Sequence, residues 1–411
     1  MHLSYAVIDL SKLRRNFFNI RKKIKNVKIM AVVKADAYGH GIKETAAFLS
    51  SLGNKKPEYF AVAFPDEAVE LREAKIKEPI LVFEPFIKDQ AEDLFRYNLI
   101  ATVFDDEHIR ILRNALKKYG KRVSRIKVHV KVNTGMNRLG INHTEAFNFI
   151  KRLSVDKDFE IDGIYTHFAN SEDKDKSFAM LQIKRFNALL KKLDENKIKT
   201  GIRHAANSGA VLDLPESYYD MVRPGILMYG QYPSPTASGG SLSARFSARR
   251  ADQAGIRKGI NSDETSHKGI NNSNRSIKLE PVMSVVSRVS SRFVIDKGET
   301  VSYGRKFTAK RRTTIISVPI GYADGFSRGL SNRSQAIING KKYNQIGSVT
   351  MDRIMFEIKN DNVKVGDKVI ILGKDKGEEI TVWDWCKVLH TIPYEVMCGF
   401  RKRISRVYRG G

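Results

Sequence analysis

The sequence has few of the residues that mark secreted, metal-binding or membrane proteins. Cysteine occurs only twice in 411 residues, as Cys386 and Cys398. Two cysteines cannot form a disulfide framework for so long a chain and lack the paired spacing of a zinc site, so we expect a reducing compartment and no metal ion. No apolar run approaches the roughly 18 residues of a transmembrane helix, and Asp9 interrupts the first apolar stretch. We therefore expect a cytoplasmic protein without a membrane partner.

Proline and glycine, at 11 and 29 residues, are too scarce for a collagen-like or generally disordered chain, while 42% apolar residues suit a globular protein of two or three domains. Acidic residues are also scarce relative to basic ones, since 72 Lys and Arg minus 45 Asp and Glu gives a net charge of +27. Such a charge could attract nucleic acid. However, the basic residues are spread along the chain and no nucleic-acid-binding motif accompanies them, so we expect no nucleic-acid partner.

Short β-branched runs alternate with longer amphipathic stretches through the first half of the chain. The runs are mostly apolar, which is typical of strands buried on both faces of a parallel sheet. They are Ala6–Ile8, Ile29–Val33, Tyr59–Ala63, Ile80–Phe83, Ile100–Val103, Ile126–Val132, Ile161–His167, Ile202–Ala206 and Met221–Val222. About eight strand–helix units over roughly 225 residues predict a (β/α)8 TIM-like barrel. We assign it to residues 1–231, although the first strand could belong to a later domain. A doubly wound open sheet is the competing architecture.

Two segments of different composition follow the barrel pattern. Residues 232–278 are rich in Ser, Gly, Asn and Arg, which predicts a low-complexity, basic and disordered insertion. Residues 279–411 return to short apolar runs separated by turns, which predicts an all-β C-terminal domain. Turn residues at 296–298 (Asp-Lys-Gly) and 339–340 (Asn-Gly) predict hairpins at both places.

The segment Ala31–Gly41, AVVKADAYGHG, places Lys34 at the end of an apolar strand. Side chains at the carboxyl ends of barrel strands converge on one mouth, where the active sites of such barrels lie. A partly desolvated lysine with cationic neighbours loses its proton readily and can form a Schiff base. Lys34 is therefore the first candidate catalytic residue.

This segment resembles the pyridoxal-phosphate lysine motif of the alanine racemase family. The resemblance extends from VIDL, with Leu13 and Asn16, to YEVMCGF near the end, and it covers essentially the whole chain except the region 232–278. It implies a pyridoxal 5'-phosphate-dependent isomerase that interconverts L-alanine and D-alanine. It also implies a homodimer with shared active sites and, as physiological purpose, D-alanine for peptidoglycan.

The resemblance implies two acid–base residues on opposite faces of the substrate. Lys34 would hold the cofactor as a Schiff base and, once displaced by the amino acid, move the α-proton on one face. The tetrapeptide VSYG at residues 301–304 matches the turn that carries the family's second base. Tyr303 would therefore act on the other face, delivered from the partner subunit.

Further residues match the family's cofactor ligands. Arg223 would face the ring nitrogen and, because arginine keeps its proton, leave that nitrogen unprotonated and limit side reactions. His167 would stack on the cofactor ring and link Tyr303 to Arg223, whereas His40 and His204 receive no role. Backbone donors and hydroxyls would bind the phosphate. The matching positions of the phosphate site and its adjoining loop are Tyr38, Asn207, Ser208, Gly225, Ile226 and Tyr394.

The run KVNTGMNRLG, residues 131–140, matches another family element. Arg138 would contact the phenolic oxygen of the cofactor and help to bind the substrate, and Lys131 would position Arg138. Unmodified, the two cations would repel each other, so the resemblance implies that Lys131 is carbamylated or that an anion lies between them. Asn133 replaces a common Asp, with little expected consequence because both accept hydrogen bonds.

The substrate side of the site would come from the C-terminal domain. The backbone N–H of Met351 would bind the substrate carboxylate, and Tyr322 and Tyr394 would narrow the entrance so that only a small side chain fits. Ser348 stands where family members often have arginine. This difference puts the charge of the entrance in question.

Alternative functions remain open at this point. Amino-acid decarboxylases of the same fold pair the ring nitrogen with an acid and carry a catalytic Cys followed by Asp, whereas Cys386 precedes Lys387 and Cys398 precedes Gly399. A racemase of broader amino-acid specificity would need only a wider entrance. A basic nucleic-acid-binding protein is the alternative outside enzymes.

Overall fold

The computed structural model describes residues 3–119, 125–235 and 277–411. Most of the predicted insertion, residues 236–276, lies outside the described residues. Within the described part of the chain, no helix has the length and apolar character needed to cross a membrane.

Strands and helices follow one another through both halves of the chain. The strands are β1 (Tyr5–Asp9), β2 (Lys28–Val32), β3 (Tyr59–Val62), β4 (Ile80–Val82), β5 (Ile100–Val103), β6 (Ile126–Asn133), β7 (Ile141–Asn142), β8 (Phe159–Tyr165), β9 (Ile202–His204), β10 (Met221–Val222), β11 (Met283–Arg288), β12 (Ser291–Ile295), β13 (Thr300–Val301), β14 (Phe307–Thr308), β15 (Thr313–Val318), β16 (Gln335–Ile338), β17 (Lys341–Ile346), β18 (Ile354–Lys359), β19 (Lys368–Asp375), β20 (Glu378–Ile380) and β21 (Ser405–Arg409). The helices are α1 (Leu10–Ile24), α2 (Lys34–Gly39), α3 (Ile42–Ser50), α4 (Pro65–Glu73), α5 (Ala91–Arg96), α6 (Asp106–Tyr119), α7 (Ala146–Ser154), α8 (Ser177–Glu195), α9 (Ser208–Asp213), α10 (Val382–Leu389) and α11 (Pro393–Cys398).

Eight parallel strands close into a barrel. The pairing runs β2, β3, β4, β5, β6, β8, β9, β10 and back to β2. Closure confirms the predicted (β/α)8 barrel and excludes the open sheet. Strands β4 and β5 are buried at every residue, which explains why their sequences are apolar instead of alternating.

The first strand belongs to the sheet of the C-terminal half. β1 pairs antiparallel with β11 and parallel with β21. The chain then enters the barrel region directly, because Asp9 ends β1 and caps α1 by accepting a hydrogen bond from the Lys12 N–H at 3.0 Å. Both halves of the molecule therefore contribute to one contiguous hydrophobic core.

The C-terminal half is a β domain, as predicted, with two short helices near its end. The Asn339-Gly340 hairpin is confirmed: both residues have positive φ, at 53° and 81°, and connect β16 to its antiparallel partner β17. The prediction of a hairpin at residues 296–298 is wrong, because the strands on either side of this turn do not pair with each other. Instead, β12 pairs with β15 and β13 pairs with β14. The helix α10 was missed, although Thr381 and Asp384 form a capping box at its start.

Candidate active site

Lys34 stands at the mouth of the barrel, two residues after the end of β2. The next four residues, Ala35–Tyr38, all have left-handed backbone angles with φ between 53° and 55°. Each such residue other than glycine costs roughly 1–2 kcal/mol, so the turn requires support from its surroundings. His40 gives this support: its buried Nδ1 lies 3.0 Å from both the Ala37 and Tyr38 carbonyl oxygens and must donate to them. The turn sends the Tyr38 side chain back toward the barrel.

The electrostatic environment of the mouth is strongly positive. Burial and the nearby Arg138 guanidinium lower the pKa of Lys34 below its ordinary value. The same two causes lower the pKa of Lys131 to about 8, and only Glu84 opposes them appreciably. Both lysines therefore lose a proton more easily than surface lysines do. The excess positive charge suits an anionic ligand.

Arg223 is buried directly after β10, and no carboxylate among the described residues pairs with it. Its Nη1 donates to His204 Nδ1 at 2.8 Å, and its Nη2 donates to the Thr166 and Ala205 carbonyl oxygens at 2.7 and 2.9 Å. Burial lowers the pKa of Arg223 to about 10, which still leaves it charged at neutral pH. Its Nε makes no hydrogen bond within the described residues and remains available to a ligand.

His167 lies beside Arg223, as the family resemblance implies. Its Nδ1 accepts from Arg223 Nη2 at 3.2 Å. Burial, together with the charge of Arg223 and Arg138, lowers the pKa of His167 well below its ordinary value. The imidazole is therefore neutral. Its implied link to Tyr303 is absent from the hydrogen bonds of the described residues.

Four of the expected phosphate ligands lie together. A Cβ added at Gly225 would be 2.3 Å from the Tyr38 hydroxyl, so the absence of a side chain at Gly225 makes room for this tyrosine. The Gly225 N–H donates to Ser208 Oγ at 2.9 Å, and the ring centroids of Tyr38 and Tyr394 are 5.9 Å apart. Hydroxyls and backbone N–H groups thus converge at one point of the mouth.

Two further positions from the sequence support this loop. Ile226 is fully buried beside Gly225. Asn207 caps α9, where its side-chain oxygen accepts from the Ala210 N–H at 3.0 Å and from Ser171 Oγ at 2.7 Å. Both residues shape the loop through packing and hydrogen bonds within the protein.

The loop of residues 133–138 carries Arg138 at the edge of the mouth. Asn133 Oδ1 accepts from the Gly135 and Asn137 N–H groups at 3.0 and 3.1 Å, so asparagine holds this loop as an aspartate would. Lys131 is buried on β6, with Nζ 5.6 Å from the centroid of the Tyr165 ring. Arg138 itself is exposed.

Three of the four candidates in the C-terminal half lie apart from this group, whereas Tyr394 packs against Tyr38. Tyr303, Met351 and Tyr322 are 77%, 52% and 44% exposed, respectively. The Tyr322 N–H donates to the Thr350 carbonyl at 3.0 Å, which keeps Tyr322 close to Met351. Within the described residues, no hydrogen bond, ion pair or ring contact joins any of the three to the barrel mouth. Among the described residues, one chain therefore holds these two groups of candidate residues apart.

Ser348 holds the Tyr303 turn. It is buried, and its hydroxyl donates to the Tyr303 carbonyl at 2.6 Å, while Ser302 Oγ donates back to the Ser348 carbonyl at 2.7 Å. The serine that replaces the family's common arginine thus faces the interior of the domain. In this chain it supports the backbone that carries Tyr303.

Sequence reasoning missed three polar residues inside the barrel: His204, His129 and Asp162. His204 is bonded to Arg223 on one side and, through Nε2, to His129 Nδ1 at 2.9 Å on the other. A signal was present, since His129 interrupts the apolar strand IKVHVKVN. Periodicity alone does not distinguish such a residue from an outward-facing one.

The residues present fit pyridoxal phosphate. Lys34 offers an amine with a lowered pKa, the cationic mouth suits a phosphate and a phenolate, and Arg223 Nε is free to meet a ring nitrogen. The missing Cβ of Gly225 lets the Tyr38 hydroxyl approach the backbone of the proposed phosphate loop. These features match a flat, anionic, aldehyde-bearing cofactor.

Comparisons with known proteins agree with this assignment over both halves of the chain. The sequence profiles described as "Alanine racemase, N-terminal domain" and "Alanine racemase, C-terminal domain" match residues 8–233 and 282–408. An alanine racemase from Carboxydothermus hydrogenoformans is 37% identical over 98% of this chain and 99% of its own. The solved alanine racemase of Clostridium difficile 630 is 33% identical, with a TM-score of 0.84, over 99% of this chain and 95% of its own. One from Bacillus anthracis with bound L-Ala-P is 30% identical, with a TM-score of 0.83, over 100% and 96%.

Proposed function

The chain belongs to the alanine racemase family and is a pyridoxal-phosphate-dependent isomerase of alanine, and we propose that Lys34 and Tyr303 are its two acid–base residues. The observation that carries the proposal is the position of Lys34, a lysine with a lowered pKa at the carboxyl end of a barrel strand among other cations.

When bound, pyridoxal phosphate supplies an aldehyde that reacts with amines and a conjugated ring that withdraws electrons from the α-carbon of the amino acid. Tyr38, Ser208, Tyr394 and the Gly225–Ile226 backbone would hold its phosphate, with Asn207 shaping the loop. Arg138 would meet its phenolic oxygen, with Lys131 supporting Arg138 as a carbamate or through an anion.

Lys34 and Tyr303 move protons at the α-carbon of the substrate in this proposal. Lys34 Nζ takes the α-proton from one face, and the Tyr303 hydroxyl gives a proton to the other face. Burial keeps part of the Lys34 population neutral, as a base requires. Exchange of these roles allows the reaction to run in both directions.

The charge of Arg223 favours racemisation over side reactions in this proposal. Its guanidinium keeps its proton, so it can donate to a ring nitrogen but leaves that nitrogen without a proton of its own. Electron withdrawal by the ring is then moderate, which favours simple return of the proton over transamination. His167, neutral and packed beside Arg223, would lie against the ring.

The C-terminal half would supply the substrate contacts. The Met351 N–H would bind the substrate carboxylate, and Tyr322 would limit the size of its side chain. The exposure of Tyr303, Tyr322 and Met351 in one chain supports their delivery to the barrel mouth of a second copy. The proposed assembly is a homodimer with two shared sites.

The test follows alanine in deuterium oxide. Full-length protein with pyridoxal phosphate and L-alanine should yield α-deuterated alanine with D-alanine near half of the total. Deuteration without D-alanine would leave Lys34 acting and contradict the role of Tyr303. Release of carbon dioxide from a basic amino acid would instead indicate a decarboxylase. A Lys34→Ala variant, prepared in parallel, measures the background reaction.

The biological part of the proposal is the supply of D-alanine for peptidoglycan in the cytoplasm. It rests on the family to which the chain belongs. Expression in a bacterium that requires D-alanine should restore growth without the supplement. Failure of an active, well-expressed protein to restore growth would contradict this part alone.

A further inference from the structure

A chain of four side chains runs through the inside of the barrel, from Arg223 at the mouth to Asp162 in the middle of β8. Arg223 Nη1 lies 2.8 Å from His204 Nδ1, His204 Nε2 lies 2.9 Å from His129 Nδ1, and His129 Nε2 lies 3.1 Å from Asp162 Oδ2. Both histidines are completely buried. Barrel interiors are ordinarily filled by aliphatic side chains, so this polar chain requires an explanation.

The hydrogen bonds of this chain can run in only one direction. Arginine has donors and no acceptor, so His204 Nδ1 must accept and His204 must carry its proton on Nε2. His129 Nδ1 then accepts from His204, which leaves the His129 proton on Nε2, facing Asp162. An ionised carboxylate can only accept hydrogen bonds, so Asp162 accepts from His129 Nε2, as the order that begins at Arg223 requires.

The protonation states of the two histidines and Asp162 support the same hydrogen-bond direction. Burial lowers the pKa of His204 well below its ordinary value, and burial also lowers the pKa of His129. Burial raises the pKa of Asp162, but the hydrogen bond from His129 and the charge of Lys127 outweigh it, so this pKa lies below its ordinary value. Tyr59 also donates to Asp162, at 3.0 Å. Two neutral imidazoles therefore connect a cation to a stable anion.

Gly163 provides the space for the His129 ring. The two residues are paired in register between β8 and β6. A Cβ added at Gly163 would lie 2.6 Å from His129 Cε1, and the two ring nitrogens would both be 2.8 Å away. Any side chain at residue 163 would displace the imidazole from the hydrogen-bonded chain.

We propose that His129 and Asp162 are positioning residues for Arg223. Asp162 fixes the tautomer of His129, His129 fixes that of His204, and His204 then always presents an acceptor to the guanidinium. With the tautomers reversed, the His204 N–H would face the Arg223 N–H and turn the guanidinium away from the ring nitrogen. The consequence for the reaction rests on the proposed function, whereas the order of the hydrogen bonds rests on the geometry alone.

The primary test reads the tautomers in the full-length, cofactor-free protein by nitrogen-15 NMR with labelled histidine. His129→Asn and His204→Asn variants assign the signals. We expect both histidines to be neutral, with a proton on Nε2 and none on Nδ1. A proton on Nδ1 of either residue, or a charged imidazole at neutral pH, overturns the proposal.

Variants then test the consequence for the reaction. Asp162→Asn removes the charge that fixes the order, and we expect kcat to fall roughly tenfold with KM unchanged, as for groups that support a catalytic residue through hydrogen bonds. Glu160→Gln is the matched control, because Glu160 lies on the same strand and also pairs with Lys127, at 3.6 Å, without touching a histidine. This control should stay within about twofold of the wild type.

Gly163→Ala is the second variant, because it displaces His129 while leaving Asp162 charged. It should lower kcat in the same way and alter the histidine signals. Unchanged kcat and unchanged tautomers in both variants overturn the proposal. The predicted tautomers in a wild-type protein without racemase activity would contradict the proposed function and leave the hydrogen-bond order standing, so the two failures are distinguishable.

Discussion

The two halves of the chain hold their proposed reacting residues in opposite ways. At the barrel mouth, Arg223 is buried and has four hydrogen-bond partners within the protein, one of them the half-buried His167. In the C-terminal half, the Tyr303 side chain is 77% exposed, and Ser348 holds only its carbonyl. Among the described residues, Arg223 thus finds its partners within its own chain, whereas the Tyr303 hydroxyl has no hydrogen-bond partner there.

This difference indicates what each half needs from the other. Buried polar residues are costly unless each has a partner, so the barrel mouth must be organised before any ligand arrives. Exposed residues such as Tyr303 and Met351 bear no such cost in one chain, and they can be ordered when a second copy covers them. We propose that cofactor binding in the barrel half and the acid–base role of Tyr303 in the C-terminal half are separable, and the following predictions test that separation.

Removal of the barrel lysine should have the largest effect. Lys34→Ala deletes both the cofactor attachment and one acid–base group, and we expect kcat/KM to fall by about 10⁴-fold or more. Lys28→Ala, at the exposed start of the same strand, should leave kcat/KM nearly unchanged. Steady-state kinetics in both directions measures the effect. An active Lys34→Ala protein would contradict the assignment of the barrel half.

Tyr303→Phe should be the next largest change, because it removes only the proton donor of the other half. We expect racemisation to fall roughly 10³-fold while the variant still binds the cofactor. Deuterium exchange at the α-carbon of one enantiomer should persist through Lys34. Tyr5→Phe, on β1 of the C-terminal sheet, is the control with unchanged racemisation. Equal loss of α-deuterium exchange with L-alanine and D-alanine would argue against the action of Lys34 and Tyr303 on opposite faces of the substrate.

The interior of the barrel should carry a pH-dependent contribution to stability. Because the pKa of Asp162 in the folded protein lies below its ordinary value of 3.8, its contribution is complete above about pH 4 and is lost as pH falls through the lowered pKa. The difference in unfolding free energy between wild type and Asp162→Asn should shrink by roughly 1–2 kcal/mol as the pH falls through this range. Urea unfolding of cofactor-free protein measures it. If the unfolding free energies of the two proteins depend on pH in the same way, the contacts of Asp162 inside the barrel do not stabilise its charged form.

Gly225→Ala should weaken cofactor binding without affecting the C-terminal half. The added methyl group would meet the Tyr38 hydroxyl, so we expect the Kd of pyridoxal phosphate to rise about tenfold, or 1.4 kcal/mol. Tyr38→Phe should have a similar effect. Gly329→Ala, where the methyl group would meet only side-chain ends, those of Leu389, Ser327 and Arg333, is the control. A cofactor titration by absorbance gives Kd, and an unchanged value would rule out this phosphate site.

Ser348→Ala should have the smallest effect. Loss of one hydrogen bond to the Tyr303 carbonyl should lower the unfolding free energy by about 1 kcal/mol and kcat by roughly threefold. Ser217→Ala removes a comparable buried bond, to the Leu214 carbonyl at 2.6 Å, far from Tyr303. It should cost similar stability but leave kcat unchanged. Equal kcat values for Ser348→Ala and Ser217→Ala would contradict the role of Ser348 in positioning the Tyr303 turn.

Sequence reasoning predicted the barrel because its strands are apolar at consecutive positions, as in β4 and β5. It failed for the turn at 296–298, since a turn sequence indicates where the chain bends but not which strand it will pair with. It also left α10 out, although the capping residues Thr381 and Asp384 were visible. Local propensities were readable, but long-range pairing was not.

The same limit applies to the site. Residues of long motifs, such as Lys34 and Tyr303, were predicted as site residues because the motifs resemble those of a family. Asp162 and His129 lie in no such motif, and their importance follows only from contacts between strands that are 33 residues apart in sequence. The hydrogen bond from Ser348 to the Tyr303 carbonyl was likewise not visible in the sequence, because it depends on how the Tyr303 turn packs against this serine.

The central claim is that each active site combines Lys34 of one chain with Tyr303 of another. Lys34→Ala and Tyr303→Phe chains, each nearly inactive alone, should be mixed in equal amounts and refolded or co-expressed. Random pairing should restore about one quarter of the wild-type activity, because half of the dimers contain one intact site out of two. A mixture of Lys34→Ala with the Lys34→Ala, Tyr303→Phe double variant is the control and should recover nothing. Activity no higher than that of the separate variants, in a mixture that contains hybrid dimers, would contradict the shared site.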